Sequence, residues 1–420
     1  MISKRHKASA AALILGLLAA GAGAGSAADV KAGAADTARG WFQYRGPSRD
    51  GISVEIGLTK AFGPAGPKTL WRTPIGPGFS AVSVVGDRLY TMHAEGAQEY
   101  AVCLDAATGK KIWSTAVGAI FNNEYGDGPR STPTIEGDKA FVHGSQGRLA
   151  ALKIADGSVL WQVELRQTFE SELPTWAFTS APLLIGDLVI IESGGKGARA
   201  VAAFDKKTGA LRWASHEDQI VYSSPLPIVF NGKQQIVVMT KREVIGLDLK
   251  GQRLWGFPFA ADGTIKPAPP VFVAPDLVFV SASYGIGAKV ARLLANGDTI
   301  TAQPVWEGLQ MKNHFNGSVA IGNHLYGFDT ATLKCIEAST GKTLWAKRGL
   351  GKGSLIVANG MLIILGETGE LVLAEATHEA YRELARASVL EGRSWTQPTL
   401  WQGRLYLRNH TELVSLDLRG

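Results

Sequence analysis

The chain has 420 residues, enough for two to four domains or one large β architecture at roughly 100–200 residues per domain. Hydrophobic residues make up 45% and charged residues 19%, which supports a sizeable core and excludes a disordered chain or a collagen-like fibre. Glycine is 50 of 420, well above a usual share of about 7%, and the net charge is +6; this composition favours many short strands and tight turns over long helices.

Lys4, Arg5 and Lys7 precede a small-apolar stretch from Ala8 to Ala24, and Ser26-Ala27-Ala28 offers a small-residue cleavage point. This is the three-part pattern of a secretory signal, so residues 1–28 are expected to be removed and 29–40 to act as a linker. The stretch is short for a membrane anchor and rich in Ala and Gly rather than Leu. Without residues 1–28 the charge falls to +3, which gives no argument for nucleic acid, and no later apolar run is long enough to span a bilayer. The expectation is an exported, monomeric protein of the periplasm or cell envelope.

From residue 41 onward the chain repeats itself. Asp105-Ala-Ala-Thr-Gly-Lys-Lys-Ile-Trp113 recurs as Asp205 to Trp213 and as Glu337 to Trp345. Lys153 to Trp161 keeps the frame with Asp for Thr, Asp248 to Trp255 is one residue shorter, Ala295 to Trp306 is looser, and Glu375 to Glu383 is degenerate. In each copy an apolar strand ends at an acid and Thr-Gly or Asn-Gly makes a tight turn. A second strand then ends in Trp. An indole there can cover the next repeat, burying on the order of 150–250 Å². Upstream of each copy lies another strand pair, as in Ser80–Tyr90, Thr132–Val142, Ser180–Ile191, Gly317–Tyr326, Leu355–Leu365 and Thr396–Leu407.

Four strands per unit is a propeller blade. Trp71, Trp113, Trp161, Trp213, Trp255, Trp306 and Trp345 stand 39 to 52 residues apart, bracketing the blade repeat of ~40–50 residues. Lys68–Trp71 reads as an outer strand without its hairpin, and Leu416–Gly420 as a hairpin without its outer strand. Pairing them closes the ring and leaves no open edge. The fold expected over 41–420 is therefore an all-β, eight-bladed propeller of four-stranded antiparallel blades, with seven blades as the alternative if the unit after Trp345 is not a true blade.

The repeat D-x-x-T-G-x-x-x-W resembles the pyrroloquinoline-quinone (PQQ) repeat family, which builds both quinoprotein alcohol dehydrogenases and the non-catalytic outer-membrane protein assembly factor BamB. Trp41–Ser53, Tyr125–Pro133, Lys312–Phe315 and Arg348–Ser354 are similar to segments of exported PQQ-like propellers. The resemblance covers about residues 41–420 and implies the fold. It leaves the activity open, because one repeat serves enzymes and scaffolds alike. For an enzyme it implies PQQ with calcium and a carboxylate base. The family's adjacent cysteine pair is missing here, since Cys103 and Cys335 sit in different repeats and read as buried free thiols; the assembly factor's lipid-bearing cysteine is missing too.

The residues entering each first strand should ring one mouth of the central channel. Arg130, Lys266, Asn313, His314 and Lys352 fall there with Trp176 and Trp395. Cations around a narrow opening attract anions, and flat aromatic surfaces suit a planar ligand, of which a tricarboxylate quinone is an example. The Ser/Thr-Pro pairs in the same loops read as turn chemistry. Insertions at Ala119–Pro129 and Arg166–Phe178, the latter with Phe169 and Trp176 expected to be exposed, favour recognition. Glu124, Asp127, Glu170, Glu172 and Asp262 have no spacing diagnostic of calcium. No HExxH, G-x-S-x-G or phosphate loop occurs, so no metal is indicated and catalytic residues stay unassigned. The sequence thus points to a binding scaffold whose partner is a protein segment or a small anion, with a PQQ-dependent alcohol or sugar oxidoreductase as the alternative.

Overall fold

The computed structural model describes residues 40–420 apart from 196, 198 and 260–264, so the expected signal segment and most of the linker lie outside the described residues. Among the described residues eight antiparallel sheets stand around one axis, each a four-stranded blade, with Gly40–Trp41 added to the first as a fifth strand. Their first strands are Ser83–Val85, Thr134–Glu136, Leu183–Ile185, Leu226–Phe230, Val271–Val273, Val319–Ile321, Ser354–Ala358 and Thr399–Trp401. The degenerate unit after Trp345 is a full blade, closed outside by Glu383–Ser388 against Glu370–Glu375, so the count is eight. The ring closes as the sequence predicts: Lys68–Pro74 pairs with Glu412–Asp417, with Thr69 opposite Leu416 and Trp71 opposite Ser415. Among the described residues one helical turn, Leu165–Thr168, interrupts the β structure, and it carries Phe169 into the core rather than to the surface expected for it.

The repeat motif is an instruction for packing one blade on the next. Hydrophobic clusters lie between adjacent sheets, for example Val237, Met239 and Phe257 of the fourth against Val278 and Val280 of the fifth. At the rim, six of the seven repeat indoles (Trp71, Trp113, Trp161, Trp213, Trp306 and Trp345) donate Nε1–H to a backbone carbonyl of the following blade at 2.7–3.1 Å. The ring of Trp113 lies flat on Gly157 of that blade's turn, where a Cβ would come within 2.6 Å of it. Gly157 also has φ +75°, so both the turn and the close approach demand glycine. Asp105 Oδ1 holds its own turn by accepting from the N–H groups of Ala107 and Thr108 and from Thr108 Oγ1.

Trp255 departs from this pattern. The fifth blade's hairpin, Gly287–Asn296 with Thr299–Gly308, is extended and offers no Thr-Gly socket at the usual height. Trp255 therefore donates to Gln235 Oε1 of its own blade at 2.6 Å and stacks on Phe257. The extended tip folds back on the fourth blade through a 2.6 Å Lys233–Asp298 ion pair.

The segment after Gly40, which the sequence marks only by its family likeness, crosses the central channel and touches most of the ring. Trp41 pairs with Val84 of the first blade, and Phe42 accepts from the Ile135 N–H of the second. Arg49 donates to the Ala181 and Pro182 carbonyls of the third blade at 2.9 and 3.1 Å, and Arg45 to the Ser318 carbonyl of the sixth at 2.6 Å. Ile52 bridges to Val357 of the seventh, and the Glu55 carboxylate accepts from the Gln402 and Gly403 N–H groups of the eighth. Burial pushes Arg49 down to about 9. Its carbonyl partners keep this cation hydrogen-bonded away from water.

Candidate functional site

The extended chain entering each first strand alternates its side chains between the blade and the axis. Four residues before those strands stand Phe79, Arg130, Thr179, Tyr222, Pro267, Phe315, Leu350 and Trp395; two before them stand Ala81, Thr132, Ala181, Ser224, Pro269, Gly317, Lys352 and Gln397. Seven of the first tier and six of the second line one cavity of about 720 Å³, floored by Tyr44 of the channel-crossing segment. Among the described residues, eight of the 20 that line it are Phe, Trp or Tyr, against 8% of the chain, and two are cations and none a carboxylate; Asp262 lies outside the described residues.

The Ser and Thr hydroxyls around this mouth do more than shape local turns. Ser83 donates to the Pro133 carbonyl, Thr134 to Pro182, Ser354 to Thr396 and Thr399 to Val82, at 2.6–3.2 Å. Each of these bonds reaches the following blade, so the hydroxyls lace the ring around the axis.

Five of the seven expected site residues line the cavity: Arg130, Trp176, His314, Lys352 and Trp395. Lys266 does not. One residue out of phase with Pro267, it points back into the blade and donates to the Thr240, Lys241 and Phe259 carbonyls; burial lowers its pKa to about 8. Asn313 is likewise structural, donating to the Phe328 carbonyl and accepting from Ser318 Oγ while 1% exposed. Phe79, Tyr222 and Phe315 line the cavity although the sequence reading passed over them. The fixed offset from each first strand is the signal that finds them. Tyr284 comes from a loop inside the fifth blade, where no such offset applies.

Within the cavity, Trp395 is the centre of one wall. Phe315 packs on it at 4.6 Å and Phe79 stacks at 6.0 Å and 22°. Its Nε1–H donates to Glu367 Oε1, and Glu367 Oε2 accepts from the Lys352 backbone N–H, both at 2.9 Å. This carboxylate therefore fixes the indole and the lysine together, with Lys352 Nζ 5.7 Å from the indole centroid. Arg130 is more constrained. It lies over the Phe79 and Phe121 rings and donates to the Gly126 and Gly128 carbonyls, and burial lowers its pKa to about 10. His314 shares a 2.7 Å hydrogen bond between its Nε2 and the Tyr284 hydroxyl. Burial, then the nearby Lys352 charge, lower it to about 4, so it is neutral at pH 7.

Behind the wall, in the second strand of the third blade, Glu192 is 2% exposed and neither carboxyl oxygen has a partner among the described residues. Burial pushes its pKa well above the usual carboxylate range; the Tyr222 backbone N–H lies nearby, outside hydrogen-bond geometry, and offsets this only in part. Among the described residues no group of three or more His, Cys, Asp or Glu could hold a metal ion.

Known proteins resemble this chain in both directions that the repeat allows. Quinohemoprotein alcohol dehydrogenase ADH IIB of Pseudomonas putida is 33% identical over 118 residues, which is 27% of this chain and only 16% of that enzyme's length. Outer membrane protein assembly factor BamB of Burkholderia pseudomallei is 24% identical over 296 residues, 66% of this chain and 68% of that protein. Among solved structures, BamB from Moraxella catarrhalis superposes with a TM-score of 0.58 at 14% identity, covering 82% of this chain and 97% of that one, a likeness of fold. The family model described as outer membrane protein assembly factor BamB matches residues 57–173 and 124–347, and the chain belongs to that family.

Proposed function

We propose that this protein is an exported propeller of the cell envelope that works by binding, and that its ligand seats in the axial cavity. The observation that supports this is the lining among the described residues: a fivefold enrichment in aromatic side chains, with two cations and no carboxylate. Flat rings gain contact with a planar ligand or with an aromatic side chain of a protein segment. Lys352, held over Trp395, supplies the charge for a carboxylate, while Arg130 contributes field rather than free donors because its guanidinium is bonded to loop carbonyls. A small planar anion, or an acidic protein segment bearing an aromatic residue, satisfies both requirements. The assembly-factor family supports a protein partner in the envelope.

The enzymatic alternative requires PQQ and calcium. The aromatic walls and Lys352 suit a flat tricarboxylate. The donor set does not suit calcium: the described residues bring no three carboxylate or imidazole groups together, and Glu367 is already bonded on both oxygens. The fit supports binding of a planar anion.

The test is a titration of the intact purified protein with PQQ and with simple aromatic carboxylates, read by tryptophan fluorescence and calorimetry. Saturable binding that is lost in Lys352→Met supports the reading. No binding by any of these anions refutes the anion pocket, and dye-linked alcohol oxidation by protein from a PQQ-producing host would move the assignment to the enzyme.

A further inference from the structure

One amide on the cavity wall is held in a single orientation. Asn316 stands in the chain entering the sixth blade and lines the cavity. Its Nδ2 donates to the Gly353 carbonyl at 3.2 Å and, at the limit of a hydrogen bond, to the Trp395 carbonyl at 3.5 Å. Gly353 belongs to the entrance of the seventh blade and Trp395 to that of the eighth, so the side chain reaches across the seventh-blade entrance. Both neighbours are carbonyls, which only accept. The NH₂ end must therefore face them, and Oδ1 is the end turned away. Among the described residues no donor meets that oxygen, which leaves it as an acceptor for whatever fills the cavity.

The same corner of the cavity holds its one ammonium group. Lys352 immediately precedes Gly353, the residue that pins the Asn316 amide, and its charge is felt by His314, two residues before Asn316. His314 is no rival acceptor, because its Nε2 is engaged with the Tyr284 hydroxyl and its Nδ1 is buried. Cation and amide oxygen ask for different things. A carboxylate placed at Lys352 satisfies the ammonium, but it sets its own oxygens towards Oδ1 and strips water from an acceptor it cannot pair. A carboxylate with an N–H or O–H on the neighbouring atom satisfies both groups at once. Sites that hydrogen-bond a ligand donor reject the analogue that lacks it more strongly than apolar pockets reject a missing methylene.

We propose that Asn316 is a specificity-determining residue of the axial cavity, and that it selects flat acids carrying an N–H or O–H donor beside the carboxylate over plain carboxylates. The charge goes to Lys352, the donor to Asn316 Oδ1, and the ring to the wall formed by Trp395 and Phe315. This rests on the reading of the cavity as an anion site and narrows the class of anion it takes.

The experiment compares two acids of the same shape and charge by calorimetric titration of the full chain. Indole-2-carboxylate carries a ring N–H beside its carboxylate, and benzofuran-2-carboxylate carries an ether oxygen at the same place. The indole acid should bind the unaltered chain at least about tenfold more tightly. Asn316→Ala should bring that ratio below about twofold, whereas Lys352→Met should weaken both acids and keep the ratio. The ratio in the unaltered chain needs no variant to fold, and a purely structural role for Asn316 would move both affinities together. Equal affinities in the unaltered chain, or a tenfold ratio that survives Asn316→Ala, overturn the proposal and leave the anion reading standing. If neither acid binds, the anion reading falls and this proposal with it.

Discussion

Glu192→Gln should change how the protein's stability depends on pH, and the direction follows from burial. The folded chain keeps a proton on Glu192 because neither oxygen has a partner to support the charge. The unfolded chain releases that proton near the ordinary glutamate value of about 4.3. Below that value both states are protonated and the full stability is present. Between it and the raised folded value, folding must take up a proton, so stability falls by about 1.4 kcal/mol for each pH unit the solution rises. Glutamine has no proton to hold. It also leaves an amide N–H without a partner, at a pH-independent cost of about 1–3 kcal/mol. The signature is therefore the slope and not the offset: the difference in unfolding free energy, variant minus parent, should grow in the variant's favour as the pH rises above the unfolded value and level off once the pH passes the raised folded value. Other shifted groups occur in both proteins and cancel. These include Glu99 and Asp50, raised by burial, and His143 and His314, each lowered by burial to about 4. Urea unfolding at four pH values, with unchanged m-values, measures the difference. A difference that stays flat with pH would refute the reasoning.

Gly157→Ala should destabilise the protein, because alanine must take φ +75° and its Cβ would meet the Trp113 ring at 2.6 Å; the loss should exceed about 1 kcal/mol by denaturant unfolding. Trp113→Ala, which empties the same socket, should cost about 3–5 kcal/mol, and its effect should not add to that of Gly157→Ala because both remove one contact. Lys352→Met should weaken carboxylate binding by about tenfold or more with little change in melting temperature, since the ammonium stands at the cavity and holds no blade together. Arg49→Met should lower stability by about 1–3 kcal/mol or more, because it leaves the buried Ala181 and Pro182 carbonyls without their donors; the wild-type melting temperature in this variant would show that the channel-crossing segment does not staple the ring.

The ring is legible in the sequence because each copy of the repeat carries both halves of a joint. The Thr-Gly of one blade is the socket for the tryptophan of the blade before it, so the spacing of tryptophans records the spacing of sheets. Where the socket is missing, in the fifth blade, the sequence shows the irregular copy but not that Trp255 would turn inward to Gln235. The channel-crossing segment is illegible for a related reason. Arg45 and Arg49 satisfy carbonyls more than a hundred residues away, and nothing local to Trp41–Ser53 marks a buried guanidinium.

The site was half legible, and the division is geometric. Blade-building residues recur with the repeat, whereas the mouth is made by residues at a fixed distance before each first strand, whose identities differ from blade to blade. At the outer of the two tiers the chain places Phe79, Arg130, Tyr222, Phe315 and Trp395, and at the inner tier Lys352 and Gln397. Residue type alone selected Lys266, a cation in the right loop, but the alternation of an extended chain turns it away from the axis and into a cage of carbonyls. Phase therefore outranks chemistry as a guide to this cavity. In this chain the two tiers differ from blade to blade while the joints of the ring beneath them repeat.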